Sequence, residues 1–284
     1  MRTIKKIHKA EYRPIDDLVT YSPLPSRALE QIDPFLFLNH HGPQIYPPNN
    51  NGLPFGPHPH RGMETVTFII EGDISHKDSS GHESVITSGG VQWMTAGHGL
   101  IHAETSSTDF MKNGGPLEIL QLWVNLPAKL KMTKPKYIGL QKDRIPSISL
   151  SNGKAAINLV SGNLNGAKGA FETLTEIVLC TIDLRPGAKI NLKVPLENNV
   201  LFYLVKGKVK VNSINCDALN LIEFYNDEDE INIETDVDSV ILFGYAKPFN
   251  EPVVAYGPFV MNTEKEIEEA YSDYKNGKFG VWKV

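Results

Sequence analysis

An all-β fold of two similar barrels, closed by a short C-terminal helix, is predicted by three features of the chain. Short β-branched segments are cut by turn residues throughout, the style repeats in the second half, and helical spacing appears only near the end. In the first half FLFLNHH, METVTFII, ISHKD, SVITS, VQWMTA, LIHAET and LEILQLWVNL are separated by Gly, Pro, Ser and Asp clusters. In the second half FETLTEIVLCTIDL, AKINLKV, NVLFYLVKG, KVKVNS, ALNLIEFY and DSVILFGYA follow the same rhythm. Aligning IEG at 70–72 with VKG at 205–207 superposes the halves at an offset of 135 residues. Between them PAKLKMTKPKYIGLQKDRIPS is polar, basic and holds three prolines, which suits a connector. The boundary is therefore expected near residue 140, with domains at 1–140 and 141–284. At the end, Thr263 and Glu266 form a capping-box pattern, and Ile267, Ala270, Tyr271 and Tyr274 repeat at helical spacing before Gly277.

A chain of 284 residues has room for two medium domains, and 41% hydrophobic with 21% charged residues is ordinary for a folded soluble protein. The N-terminal MRTIKKIHKAEYRP has no apolar run after its basic residues, and no stretch approaches the length that spans a bilayer, so neither secretion nor membrane insertion is expected. With only Cys180 and Cys216 no disulfide framework is implied, and a cytoplasmic location is the simplest expectation. A net charge of -5 argues against direct binding to nucleic acid. The basic run KLKMTKPKY at 129–137 and the acidic run at 223–238 are read as solvated loops.

The histidines carry the chemistry. All nine lie at or before position 102, so a site is expected in the first domain alone. In PHPHRG, His58 and His60 are two apart, and on an extended strand both imidazoles point to one face, with Glu64 sharing that parity. In GLIHAET, His102 and Glu104 are again two apart. Two such pairs facing inward would close around one ion. Three imidazoles and a carboxylate suit Fe(II), Zn, Mn, Ni or Cu, and donor type alone does not choose among them. His40, His41, His76, His82 and His98 are assigned surface or supporting roles. At the 135-residue offset, His58, His60 and Glu64 fall opposite Lys193, Pro195 and Asn199, so the second domain is expected to hold no metal.

These segments also match a known pattern. GPHPHRGMETVTFIIEG (56–72) resembles the first cupin motif and GGVQWMTAGHGLIHAE (89–104) the second. More narrowly, PHPHRGMETVTFIIEGDISHKDSSGH, QWMTAGHGLIHAE, DPFLFLNH and the tail YGPFVMNTEKEIEEAYSDY resemble the pirin family. That resemblance implies two cupin (jelly-roll β-barrel) domains and one iron in the first, held by His58, His60, His102 and Glu104. The general cupin pattern would instead make Glu64 the carboxylate ligand; the pirin pattern favours Glu104 and leaves Glu64 as a supporting residue.

Some pirins are similar to quercetin 2,3-dioxygenases. The resemblance therefore implies a metal-dependent dioxygenase acting on a small flavonol-like aromatic, with Glu104 taking the hydroxyl proton. It also implies an alternative: a redox-sensing regulator whose Fe(II)/Fe(III) state changes its affinity for a protein partner, acting as a transcription cofactor or a modulator of a metabolic enzyme. A metal that only staples the barrel is the third expectation.

Overall fold

The computed structural model describes residues 1–282, and its secondary structure is almost wholly strand. The chain forms two compact units. One comprises residues 1–11, 21–35 and 143–248; the other comprises 12–20, 36–142 and 249–284. The connector does separate them at Lys142/Asp143, but contiguous halves of 1–140 and 141–284 do not describe the units, because both chain ends cross over. The N-terminal strand Ile4–Lys9 pairs with Asn220–Phe224 and supplies an edge of the second barrel's large sheet. The C-terminal tail joins the first unit, where Phe259, Met261, Ile267, Ala270 and Phe279 bury one another against the partly buried Ile101. The helix expected in the second domain, Glu264–Lys275 with its Thr263–Glu266 capping box, therefore belongs to the histidine-bearing unit.

In the histidine-bearing unit a four-stranded sheet has the order Phe55–His60, Leu100–Thr105, Asp73–Asp78, Glu83–Thr87. Facing it, a larger sheet places Lys136–Leu140, Val91–Thr95, Met63–Glu71, Gly115–Asn125 and Phe35–Tyr46 side by side. The other unit repeats the plan, with one seven-stranded and one four-stranded sheet. The repeat proposed from sequence has a physical anchor in two glycines at the 135-residue offset. Gly72 and Gly207 each follow the equivalent strand, Met63–Glu71 or Asn199–Lys206, with φ of 85° and 86°. A left-handed turn at both places is open to glycine at little cost.

The units differ in what fills them. Thr67 of the first corresponds by that offset to Phe202, which is fully buried in a core of Leu204, Val209, Ile231, Ile233 and Phe243. The second barrel is thus packed solid with apolar side chains. Among the described residues no helix is long and apolar enough to cross a membrane.

One corner of the first barrel decides the site's geometry. Between the strands Phe55–His60 and Met63–Glu71 the chain passes from the small sheet to the large one through Arg61 and Gly62. Gly62 has φ 81°, and a Cβ there would meet the Val260 carbonyl oxygen at 2.0 Å. By contrast, a Cβ on Gly56 meets nothing within 4 Å. Gly62→Ala is expected to cost roughly 2 kcal/mol or more in urea unfolding, and Gly56→Ala less than about 0.5 kcal/mol.

Candidate metal centre

The strands Phe55–His60 and Leu100–Thr105 run antiparallel, and their register sets His102 directly opposite His58 and Leu100 opposite His60. Two pairs of alternate residues on adjacent strands thereby project three imidazoles into one space. One ring nitrogen from each of His58, His60 and His102 lies within 4.8 Å of the others. Their ring centroids form a near-even triangle of 4.4, 4.9 and 4.9 Å.

The second nitrogens explain why these rings face one another. His58 donates from Nδ1 to the Gly56 carbonyl at 2.7 Å, and His60 from Nδ1 to the Pro258 carbonyl at 3.1 Å. Each bond fixes the tautomer and leaves Nε2 as a lone pair directed away from the anchor, as in metal-bound histidines. His102 is fully buried and neither of its ring nitrogens has a protein partner. A buried imidazole left so would cost about 1–3 kcal/mol per unsatisfied group. Burial, then the neighbouring His58, pushes His60 down to about 3, with the Pro258 carbonyl opposing. Burial, then His60, His58 and His76, holds His102 well below the usual imidazole range. Both rings are therefore neutral at neutral pH, the protonation state that ligates metal. The cluster fits one transition-metal ion.

Glu104 is two residues beyond His102 on the same strand, but among the described residues the cluster of ligand atoms within 4.8 Å comprises His58, His60 and His102 without it. On the large sheet Gln92, Thr67 and Gln121 lie in one register row across three strands. All three donate to its carboxylate: Thr67 Oγ1 to Oε1 at 3.0 Å, Gln92 Nε2 also to Oε1, and Gln121 Nε2 to Oε2 at 2.5 Å. A carboxylate offers about four acceptor positions, so one remains open. The next row inward, Ile69 opposite Ile119, is apolar and buried. The polar chamber therefore ends there.

Glu64 does not share the face of His58 and His60. Passage through Gly62 breaks the alternation, and within Met63–Glu71 position 64 has the opposite parity to Thr67. Glu64 points out of the barrel, pairs in register with Thr95 and accepts its hydroxyl at 2.6 Å. The parity argument that joined Glu64 to the histidines fails because the strand is two strands.

His98 apart, the other histidines of this unit pack against neighbouring polar or aromatic side chains. His40 meets Glu118 at 2.9 Å and His41 meets Thr20 at 2.9 Å. His76 is buried beside Asp78, stacks on Tyr137 at 3.8 Å and sits 5.5 Å from the His102 ring centroid. His82 also faces Asp78, and His98 is exposed.

Sequence reading missed two supports. Lys131, assigned to a solvated basic loop, is 1% exposed, and its ammonium donates to the carbonyls of Gly62 (2.9 Å) and Val260 (3.1 Å) and to Asn125 Oδ1 (2.6 Å). Arg61 donates to the His98 carbonyl and to Asp273 and covers the Phe279 ring at 4.6 Å. Both tie the C-terminal tail to the corner that carries His60. The prolines and lysines around Lys131 hid this role, since one lysine among several in a polar run has no sequence mark of burial.

Two jelly-roll barrels, one lined by a histidine triad and one filled with apolar side chains, define a bicupin with one candidate metal centre among the described residues. The family model for pirin matches residues 17–124, and that for the pirin C-terminal cupin domain matches 179–280. The chain belongs to the pirin family. A Pseudomonas aeruginosa protein that carries a provisional quercetin 2,3-dioxygenase name is 34% identical over 94% of this chain and 92% of its own length. Pirin-like protein 2 of Arabidopsis thaliana is 35% identical over 98% of this chain and 85% of its own. A solved quercetin 2,3-dioxygenase from Acinetobacter baumannii superposes with a TM-score of 0.93 at 36% identity, covering 99% of both chains.

Substituting His58, His60 or His102 by Ala is expected to abolish stoichiometric metal binding, read by metal analysis after loading and desalting. Glu64 gives a separate pH test. Burial pushes its carboxyl up to about 7, against the opposing bonds from Thr95 and Trp93 and the charge of Lys136. A raised folded-state value stabilises below the unfolded value near 4.5 and loses that contribution as pH rises through about 7. Relative to wild type, Glu64→Gln should therefore gain stability between pH 4.5 and 8 in urea titrations, by a few kcal/mol at most.

Proposed function

We propose that this chain is a metal-dependent dioxygenase that opens the heterocycle of a flavonol, with His58, His60, His102 and Glu104 holding the ion. The reading rests on one observation: ring nitrogens of His58, His60 and His102 gather within 4.8 Å of one another. Relatives and a structural neighbour that bear quercetin 2,3-dioxygenase names support it. Fe(II) is the ion we favour, and Zn, Mn, Ni and Cu suit the same donors. Once bound, the ion supplies Lewis acidity toward the flavonol's hydroxyl–ketone pair and a redox partner for O2.

The chain's residues do the rest. Gly56 and Pro258 keep the His58 and His60 rings aimed inward. Thr67, Gln92 and Gln121 hold the Glu104 carboxylate, whose remaining acceptor position would be available to help hold the ion or to take the substrate hydroxyl's proton. His58, Gln121 and Trp123 are half-buried, while Ile69 and Ile119, one row on from Thr67 and Gln121, are buried and apolar.

Anaerobically iron-loaded protein should consume O2 and release carbon monoxide when quercetin is added. His102→Ala should lose both metal and turnover. Glu104→Gln should retain at least part of the iron and fall by about 10²-fold or more in kcat/KM, the usual scale for a lost proton acceptor. Silence of the wild type with iron, nickel and copper alike would refute the reading.

A further inference from the structure

Gln92, one of the three donors to Glu104, is held at its other end too. Its Nε2 donates to the Glu104 carboxylate, and its Oε1 accepts the Tyr137 hydroxyl at 3.1 Å. Gln92 is 2% exposed, and among the described residues no other donor reaches that oxygen. An amide oxygen only accepts, so Tyr137 spends its one proton there and receives a bond, at 2.5 Å, from the Ser84 hydroxyl. Burial pushes the phenol well above its ordinary range against the Ser84 bond, and the Glu104 and Asp78 charges add to the rise, so it keeps that proton at neutral pH. The strand Lys136–Leu140 is shaped for this reach. Gly139 lies directly opposite Gln92, and Tyr137 lies opposite Met94. Two apart on one strand, Tyr137 and Gly139 share a face. A Cβ on Gly139 would lie 2.8 Å from the Tyr137 hydroxyl and 2.7 Å from Ile86 Cδ1. Gly139 has no positive φ, so its missing side chain serves space rather than backbone freedom, and the phenol hydroxyl occupies that space on its way to Gln92. His76 stacks on the Tyr137 ring at 3.8 Å and 6° and holds it in place.

We propose that Tyr137 is a positioning residue for Glu104: its hydroxyl holds the carbonyl end of Gln92 and thereby keeps the NH2 end of that amide on the carboxylate. Without the hydroxyl a buried amide oxygen has no donor, and the amide relieves it by turning toward another one, away from Glu104. Glu104 then keeps only Thr67 and Gln121. The effect on turnover rests on the dioxygenase reading above, in which Glu104 serves the ion or the substrate's proton. The link from Tyr137 through Gln92 to Glu104 does not depend on that reading.

The test uses full-length protein, loaded with Zn(II) for NMR spectra and with Fe(II) for turnover, and compared at equal metal content. Tyr137→Phe keeps the ring on His76 and removes only the hydroxyl, whereas Gly139→Ala keeps the phenol and displaces it. In both, the two side-chain amide protons of Gln92, assigned by their loss in Gln92→Met, should shift. With quercetin, kcat should fall about tenfold while KM changes little, the scale of one lost bond to a charged group. Adding Tyr137→Phe to Gln92→Met should lower kcat no further, because the effect runs through the amide. Unmoved Gln92 resonances in folded Tyr137→Phe, or losses that multiply in the double variant, would overturn the proposal and leave Tyr137 a packing residue. In the wild type the Tyr137 hydroxyl proton should exchange slowly and give a cross-peak to the Gln92 side chain. Its absence would overturn the proposal even if neither variant folds. A wild type that does not turn over quercetin would instead remove the dioxygenase reading, and the Gln92 resonances would still decide the link.

Discussion

Three imidazoles gathered in one space, two of them, His60 and His102, buried and held neutral, are an unfavourable arrangement that the surrounding barrel has to impose. His102 has no hydrogen bond through either ring nitrogen, and His58 and His60 spend theirs on backbone carbonyls. Nothing in the triad stabilises itself. It persists because antiparallel pairing of Phe55–His60 with Leu100–Thr105 fixes the register and the two barrel sheets supply the burial. A metal ion would convert that cost into binding free energy, which couples occupancy to stability.

The facing sheet completes the chamber by register in the same way. Gln92, Thr67 and Gln121 converge on Glu104 from three strands because a row across a sheet presents one face. One row deeper the side chains become apolar. One row the other way lie Met94, Thr65 and Trp123. Polarity in this barrel is thus layered, while the second barrel is apolar at the level equivalent to Thr67. The second barrel illustrates the point, with Phe202 at the equivalent place and a solid core around it.

The C-terminal tail supplies a further layer of control. Pro258 anchors His60, the Val260 N–H donates to the Arg61 carbonyl, and Lys131 binds the carbonyls of Gly62 and Val260 together. The corner where the chain changes sheets is therefore pinned by residues almost 200 positions away. Burial pushes the Lys131 ammonium down to about 8, and its three acceptors are what make a buried lysine tolerable there.

The sequence by itself determined the all-β class, the doubling of the barrel, the helix cap at Thr263 and the three histidines, because each depends on local periodicity or on spacing within one strand. The confinement of histidine to the first half pointed to the triad. Only the tertiary structure decided that Glu64 faces away, since the break at Gly62 resets the alternation that spacing assumes. It alone showed Glu104 held by three donors, Lys131 buried and the Tyr137 hydroxyl on Gln92. Each of these depends on partners on other strands, brought together by register and long-range packing that no local pattern encodes. The exchange of chain ends between the units has the same origin: an edge strand and a helix go where open edges and apolar surface await them, and sequence order does not record that choice.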